Sequence, residues 1–265
     1  MKIKKVFLTI ALLSVSFISC EDLIPTADQT VAGLKEALNV GIKKTVVEVS
    51  KPGGYLLNDI IKINLPEDAQ SIFTVINALR SQNNFAVNAA LAALNIDVNL
   101  ENTLTVLING AAEDAAPKSV DVFVSAITGM TISDGKSILF GANDAATQYL
   151  KKSTYTQLQS AFEPTITSTL KTFKIAGTTP VQAWEKVATL NNQISNLINT
   201  VPGASTILNS VGVSLKPMET NLSDYVTGKA LDGLFVKVAG EELKIRKDVS
   251  ARTSDLLKKV FGELD

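Results

Sequence analysis

Histidine is absent from all 265 residues, and cysteine occurs once, at Cys20. Without imidazole there is no Ser-His-Asp triad, no Cys-His dyad, no HExxH zinc site and no histidine proton shuttle. With a single thiol there is no internal disulfide and no cysteine-cluster metal site, so neither a metal nor a cofactor is expected. Aromatic residues are scarce at 6 %. Tyr149, Tyr155, Tyr225 and Trp184 therefore read as core residues with their polar tips at the edge, rather than as the wall of a pocket. A surplus of one charge is missing too: 25 Lys and Arg face 26 Asp and Glu, a net charge of -1. That leaves no basic field to hold nucleic acid, and no nucleic-acid partner is expected. What is present is a globular composition, 46 % hydrophobic and 19 % charged, long enough to bury a sizeable core.

The longest uncharged run near the start follows Met1-Lys2-Ile3-Lys4-Lys5, covers residues 6–19 and ends at Cys20. A basic start, a short apolar stretch and a small residue before a cut point make a secretory signal. Its 14 residues fall short of the roughly 20 that a membrane-spanning helix needs. The box Phe17-Ile18-Ser19-Cys20 resembles a bacterial lipoprotein signal, in which the cysteine becomes the lipidated first residue; Ser19 fits, whereas Phe17 and Ile18 are bulkier than usual. The expected organisation is a signal peptide over 1–19, a tether over 20–28 and a single helical domain over 29–265. The expected location is the cell envelope, on the periplasmic face or the outer-membrane surface, with acyl chains on Cys20 binding the membrane.

Beyond the tether the pattern is helical almost throughout. Val31, Leu34, Leu38, Ile42, Thr45 and Val49 recur at three and four, with Asp28 as the expected N-cap, and Pro52-Gly53-Gly54 ends the run. Ile61, Ile63 and Leu65 alternate with Lys62 and Asn64, which predicts a short extended segment at 61–65. Helices are then predicted over 69–79, 85–94, 104–116 and 120–130, with Pro117 as a break. Ser133 is the expected cap of a short helix ending at Gly141. Asp144 is the expected cap of the next, which Pro164 interrupts. Thr179-Pro180 signals a further start; 201–217 reads as a loop or broken turns, 226–245 as a long helix, and 255–261 as a last one capped by Thr253 or Ser254. The class is all-α.

Few residues suggest chemistry. Asp134-Gly135-Lys136-Ser137 ends like a phosphate-binding loop, but Met130 stands where that motif needs glycine, and a capped helix start explains it. Glu113 and Asp114 are adjacent and so do not face each other on a helix; solvated or capping roles are expected of them. The C-terminal third concentrates charge in Asp224, Tyr225, Lys229, Asp232, Glu242, Arg246, Arg252 and Asp255. These eight form either a ligand site or a structural clasp, with Glu242 and Arg246 spaced as a helical ion pair.

Several segments together resemble a known bacterial family. They include Gly33-Leu34-Lys35-Glu36-Ala37-Leu38 with Gly41, Lys51-Pro52 through Gly54-Tyr55 to Pro66, and Ala111-Ala112-Glu113 with Ala115-Ala116-Pro117. Met130-Thr131-Ile132 and Asp144-Ala145-Ala146-Thr147 with Tyr149 add to these. The fullest is Asp224-Tyr225-Val226-Thr227, then Lys229-Ala230-Leu231-Asp232-Gly233-Leu234-Phe235, with Glu241-Glu242, Ile245-Arg246 and Ala251-Arg252-Thr253 through Gly262. Together they resemble the family called domain of unknown function 4197, over most of residues 30–262. The chain departs from that family's usual pattern at Gly135, where alanine is common. The resemblance implies a helical protein of Gram-negative bacteria, secreted or lipid-anchored, and it implies no reaction, cofactor or catalytic residue.

The expected function is a non-enzymatic envelope lipoprotein that binds a protein or another envelope component. One alternative is a carrier with an apolar ligand between its helices, suggested by the dominance of Ala, Val, Leu and Ile. Another is an acid–base enzyme using Asp224, Tyr225, Asp232 and Arg246.

Overall fold

The computed structural model describes residues 26–81, 84–94, 99–174, 177–201, 203–212, 215, 218, 221–252, 258 and 260–262. Cys20, Thr253, Ser254 and Asp255 lie outside them, as does most of the helix expected over 255–261. Ten α-helices occur among the described residues: α1 Ala27–Val49, α2 Glu67–Ser81, α3 Phe85–Ala93, α4 Leu100–Ala115, α5 Ser119–Thr128, α6 Ile132–Leu139, α7 Ala145–Thr172, α8 Pro180–Thr200, α9 Ala204–Val211 and α10 Leu222–Lys247. The all-α class holds, and the described residues form no β-sheet.

Short-range chemistry sets where the helices begin. Thr26 caps α1, its hydroxyl accepting from the Gln29 N–H while the Gln29 side chain accepts from the Thr26 N–H. Thr179 and Gln182 repeat the device at α8, with Pro180 in the first position. Thr131 and Asp134 repeat it at α6. Two expected caps are thereby corrected. Thr26 replaces Asp28, and Thr131 replaces Ser133, because a capping box needs its acceptor three residues on and Gln29 and Asp134 supply it. Asp28 instead places its carboxylate in the first turn, where the helix dipole favours it.

Two helix boundaries also differ from expectation. Helix α7 runs straight through Pro164 for 28 residues. Proline removes one main-chain hydrogen bond there, but Leu158, Phe162 and Ile166 are fully buried on either side, and their packing holds the helix together. The stretch expected as broken turns at 201–217 contains the short helix α9. Pro117 behaves as expected: it sits in a 3-10 turn, Ala116–Lys118, that separates α4 from α5.

Helices α7 and α10 form the central pair. Helix α1 packs on α10, α5 and α6, while α4 bridges from α7 to α8, and α2 covers α8 and α9. Phe123 meets Phe235 edge-on at 5.8 Å, and Tyr155 stacks on the same ring at 6.3 Å. Ion pairs Lys44–Glu241 and Lys237–Glu48 tie α1 to α10, which places the two helices antiparallel. The Lys237 ammonium, hydrogen-bonded to Glu48, holds that carboxyl below its ordinary range.

Helix α6 approaches α1 closely enough that a Cβ on Gly135 would lie 2.6 Å and 3.0 Å from the two methyl carbons of Val31. Valine is stiff at χ1, so alanine at this position would force a backbone shift. Gly135→Ala is expected to lower stability by about 1–2 kcal/mol, the overpacking cost exceeding the gain in helix propensity. In a Val31→Ala background the two methyl clashes are gone and a 3.2 Å contact with the Cβ of residue 31 remains. The same change is then expected to be nearly neutral, within about 0.5 kcal/mol, the remaining close contact offsetting the gain in helix propensity. Urea unfolding of the four variants of the cycle reads this coupling directly.

Candidate functional site

Six of the eight C-terminal candidates fall into two groups, while Asp224 stands apart and Asp255 lies outside the described residues. The first is a clasp. Glu242 and Arg246 lie one turn apart on α10 and are buried, 7 % and 6 % exposed, with the carboxylate 2.9 Å from the guanidinium. Glu242 accepts from the N–H groups of Ala146 and Thr147, at 3.0 and 2.8 Å, and from the Thr147 hydroxyl at 2.7 Å. These are first-turn amides of α7, where Asp144 occupies the cap position without making a side-chain cap bond. Arg246 donates to the carbonyls of Leu139 and Ile138, at 3.0 and 2.8 Å, the last two residues of α6. One ion pair thus satisfies the start of one helix and the end of another, each charge at the pole that favours it. Arg252 donates to the carbonyls of Ile245 and Arg246, at 3.1 and 3.0 Å, and closes α10 itself. The sequence suggested only a surface pair of a few tenths of a kcal/mol for Glu242 and Arg246; their burial makes them a structural element.

The second group faces solvent. Tyr225, Lys229, Asp232, Gly233 and Val236 recur along one face of α10 and line a groove of about 850 Å³. The opposite wall is the segment 60–66 together with the first turn of α2. Asp224 is exposed and lies outside this lining. The four residues of the acid–base alternative are therefore not gathered: Tyr225 and Asp232 share the groove, Asp224 is exposed outside it, and Arg246 is buried in the clasp.

The groove exists because four side chains, Glu113, Asn109, Tyr55 and Tyr225, hold the segment 50–66 against the helices. Asn109 and Glu113 lie one turn apart on α4. Glu113 accepts from the N–H groups of Gly53, Tyr55 and Leu56, at 3.1, 3.0 and 3.2 Å, and so fixes the turn after α1. Asn109 is wholly buried; its amide oxygen accepts from the Ile63 N–H, and its amide nitrogen donates to the Ile63 carbonyl, both at 2.8 Å. It occupies the place a neighbouring strand would take. Tyr55 is fully buried and donates to the Ala230 carbonyl at 2.8 Å; burial, then the Glu113 carboxylate, pushes its phenol well above the ordinary range. Gly233 lets α10 approach: a Cβ there would lie 2.9 Å from the Tyr55 ring and 3.1 Å from the Ile61 Cβ. Tyr225 donates to the Asn64 carbonyl at 2.8 Å. Burial raises its pKa, and the Asp68 and Glu67 carboxylates add to the shift.

Within this segment Ile61, Ile63 and Leu65 are buried and Lys62 and Asn64 exposed, as the alternation predicts. Glu113 takes the capping role expected of it, and Asp114 accepts the Thr169 hydroxyl at 2.6 Å, linking α4 to α7. Of the four aromatics, Tyr225 lines the groove, and all four pack partly buried against the core. Sequence reading missed Asn109. Its signal is a lone amide at a core position of an otherwise apolar helix face formed by Leu104, Ile108, Ala111, Ala112 and Ala115.

These features define an all-α fold in which buried Glu242, Arg246 and Arg252 serve the chain's own main chain and a central helix carries one wall of an open groove. Among the described residues no three of His, Cys, Asp and Glu gather to hold a metal ion, and no helix is long and apolar enough to cross a membrane. A family model described as protein of unknown function (DUF4197) matches residues 25–262, and the chain belongs to that family. No curated protein and no solved structure matches it.

Removing one partner of the buried pair leaves the other charge unpaired. Glu242→Gln is expected to cost about 3–5 kcal/mol in chemical unfolding. The double change Glu242→Leu with Arg246→Met is expected to remain destabilised. An isolated buried pair often tolerates apolar replacement, but here four main-chain groups would lose their partners. Asn109→Ala orphans the Ile63 N–H and carbonyl. It is expected to cost about 1–3 kcal/mol for each group and to speed hydrogen exchange first within 60–66.

Proposed function

We propose that this chain is an envelope lipoprotein, exported by residues 1–19 and lipidated at Cys20, that acts by binding rather than by covalent chemistry. The observation that carries the binding reading is the division of labour among its polar groups. Glu113, Glu242, Arg246, Arg252 and Asn109 are committed to the chain's own amides and carbonyls. Lys229 and Asp232 are instead collected on one open groove beside Tyr225, whose hydroxyl is held by the Asn64 carbonyl, together with Ile60 and Val236, which are 79 % and 46 % exposed. Charged side chains free of main-chain duties and two exposed apolar ones on a single concave face offer a partner both polar and apolar contact. The anchoring reading rests on the basic start, the uncharged run and the cysteine that ends it. Acyl chains there would hold the start of α1 close to the membrane, since only five residues lie between Cys20 and the Thr26 cap, and would turn the groove away from it, since the groove lies past the far end of α1, where Glu48 pairs with Lys237.

Both halves are tested on cells expressing the full chain. Cys20→Ser is expected to remove the acyl mass from the purified protein and to release it from the membrane fraction. A photo-crosslinking residue at Ile60 is expected to trap a discrete partner, while the same residue at exposed Lys152 on α7 traps none. An unmodified Cys20 in the wild-type protein overturns the anchor. Equal crosslinking at the two positions, or defined turnover of a small molecule by the purified chain, overturns the binding role.

A further inference from the structure

The groove has one edge made of main chain. Beyond the turn that the Ile61 and Lys62 N–H groups close on the Asn58 carbonyl, exposed Lys62 and Asn64 alternate with buried Ile63 and Leu65, so residues 62–65 run extended and their main-chain groups point alternately to opposite sides. The Ile63 N–H and carbonyl point toward α4 and are both taken by Asn109. The main-chain groups of Lys62 and Asn64 therefore point the other way. The Lys62 N–H donates to the Asn58 carbonyl at 2.8 Å, and the Asn64 carbonyl accepts from Tyr225, itself a lining residue of the groove. Two groups remain on that side: the Lys62 carbonyl and the Asn64 N–H have no partner among the described residues.

A carbonyl on one residue and an N–H two residues later is half of a strand ladder. One residue of a parallel strand satisfies both at once, as do two alternate residues of an antiparallel strand. Asn109 makes the matching pair of bonds on the far side. The segment is therefore held as the edge strand of a sheet is held, on one edge only. Ile60 and Val236 line the same groove and offer apolar contact to alternate side chains of such a strand. Lys62, Lys229, Glu67 and Asp232, of both signs and outside every ion pair found, line it as well.

Resting on the reading of this groove as a binding surface, we infer that its occupant is an extended peptide segment. It is added as a strand along residues 62–64, with main-chain hydrogen bonds to the Lys62 carbonyl and the Asn64 N–H and apolar side chains against Ile60 and Val236. The assignment is chemical: the groove recognises backbone first and side chains second, so it tolerates several sequences that share an extended conformation.

The test uses the full lipidated chain in detergent micelles, panned against a displayed library of random linear peptides, with the selected peptides resynthesised. Asn64→Pro removes the free N–H, and its demand that Ile63 be extended is already met. It is expected to weaken the selected peptides by at least about tenfold, whereas Asn64→Ala, which keeps the N–H, leaves affinity within about twofold. Should Asn64→Pro unfold the chain, N-methylation along the peptide decides on the wild-type protein: losses at alternate residues support strand pairing. The inference is overturned by a library that yields no binder, by peptides indifferent to Asn64→Pro in a folded variant, or by N-methyl losses without alternation. If crosslinks from Ile60 persist while strand pairing fails, the groove remains a binding surface with a different occupant. If the crosslinks fail as well, the binding role falls with it.

Discussion

The fold depends on finding partners for helix ends that the core would otherwise leave bare. Glu242 and Arg246 meet that need for two helices from the face of a third. Four unsatisfied amides and four unsatisfied carbonyls sit at every pair of helix termini, and burial makes each of them costly. A carboxylate at the start of α7 and a guanidinium at the end of α6 neutralise those groups, complement the dipoles and neutralise each other. The turn between α6 and α7 is thereby pinned to α10, and α1 packs against both α6 and α10.

The same economy shapes the opposite side of the molecule. Asn109 and Glu113 project from one face of α4 and hold the segment 50–66 by its own main chain. That segment is too short and too isolated to form a sheet, and side-chain amide and carboxylate groups stand in for the strands it lacks. Gly233 supplies the remaining requirement, a helix surface without a Cβ where the segment crosses. An extended chain held on one edge against a smooth helix leaves a groove on its other side. The groove is a by-product of how the segment is secured, and Tyr225, Lys229 and Asp232 give it a polar wall.

Much of this was legible in the chain. The three-and-four spacing of Val31, Leu34, Leu38, Ile42, Thr45 and Val49 is α1, and Thr179-Pro180 is a helix start in the structure as in the sequence. The alternation at 61–65 correctly set three residues in the core and two in water. Errors arose where two residues of similar chemistry compete over a short distance. Asp28 and Thr26 both make good caps, and the residue that wins is the one with Gln29 three positions on. Pro164 reads as a break, but burial of Phe162 and Ile166 outweighs one lost hydrogen bond.

By itself the sequence determined the helical class, the main interruptions, the short extended segment, and the absence of the residues on which histidine, disulfide and zinc chemistry depend. Local periodicity and composition carry those facts because they act over a few residues. Only the tertiary structure decided which of the C-terminal charges are structural and which are available. Glu242 and Arg246 look on paper like any exposed pair one turn apart; they become a clasp because the amides and carbonyls they satisfy lie 95 to 108 residues away. Tyr225, Lys229 and Asp232 become a groove wall because Asn109, far upstream on another helix, holds residue 63 in place. No local pattern encodes such partners, since hydrogen bonds and burial depend on distance in space and not along the chain.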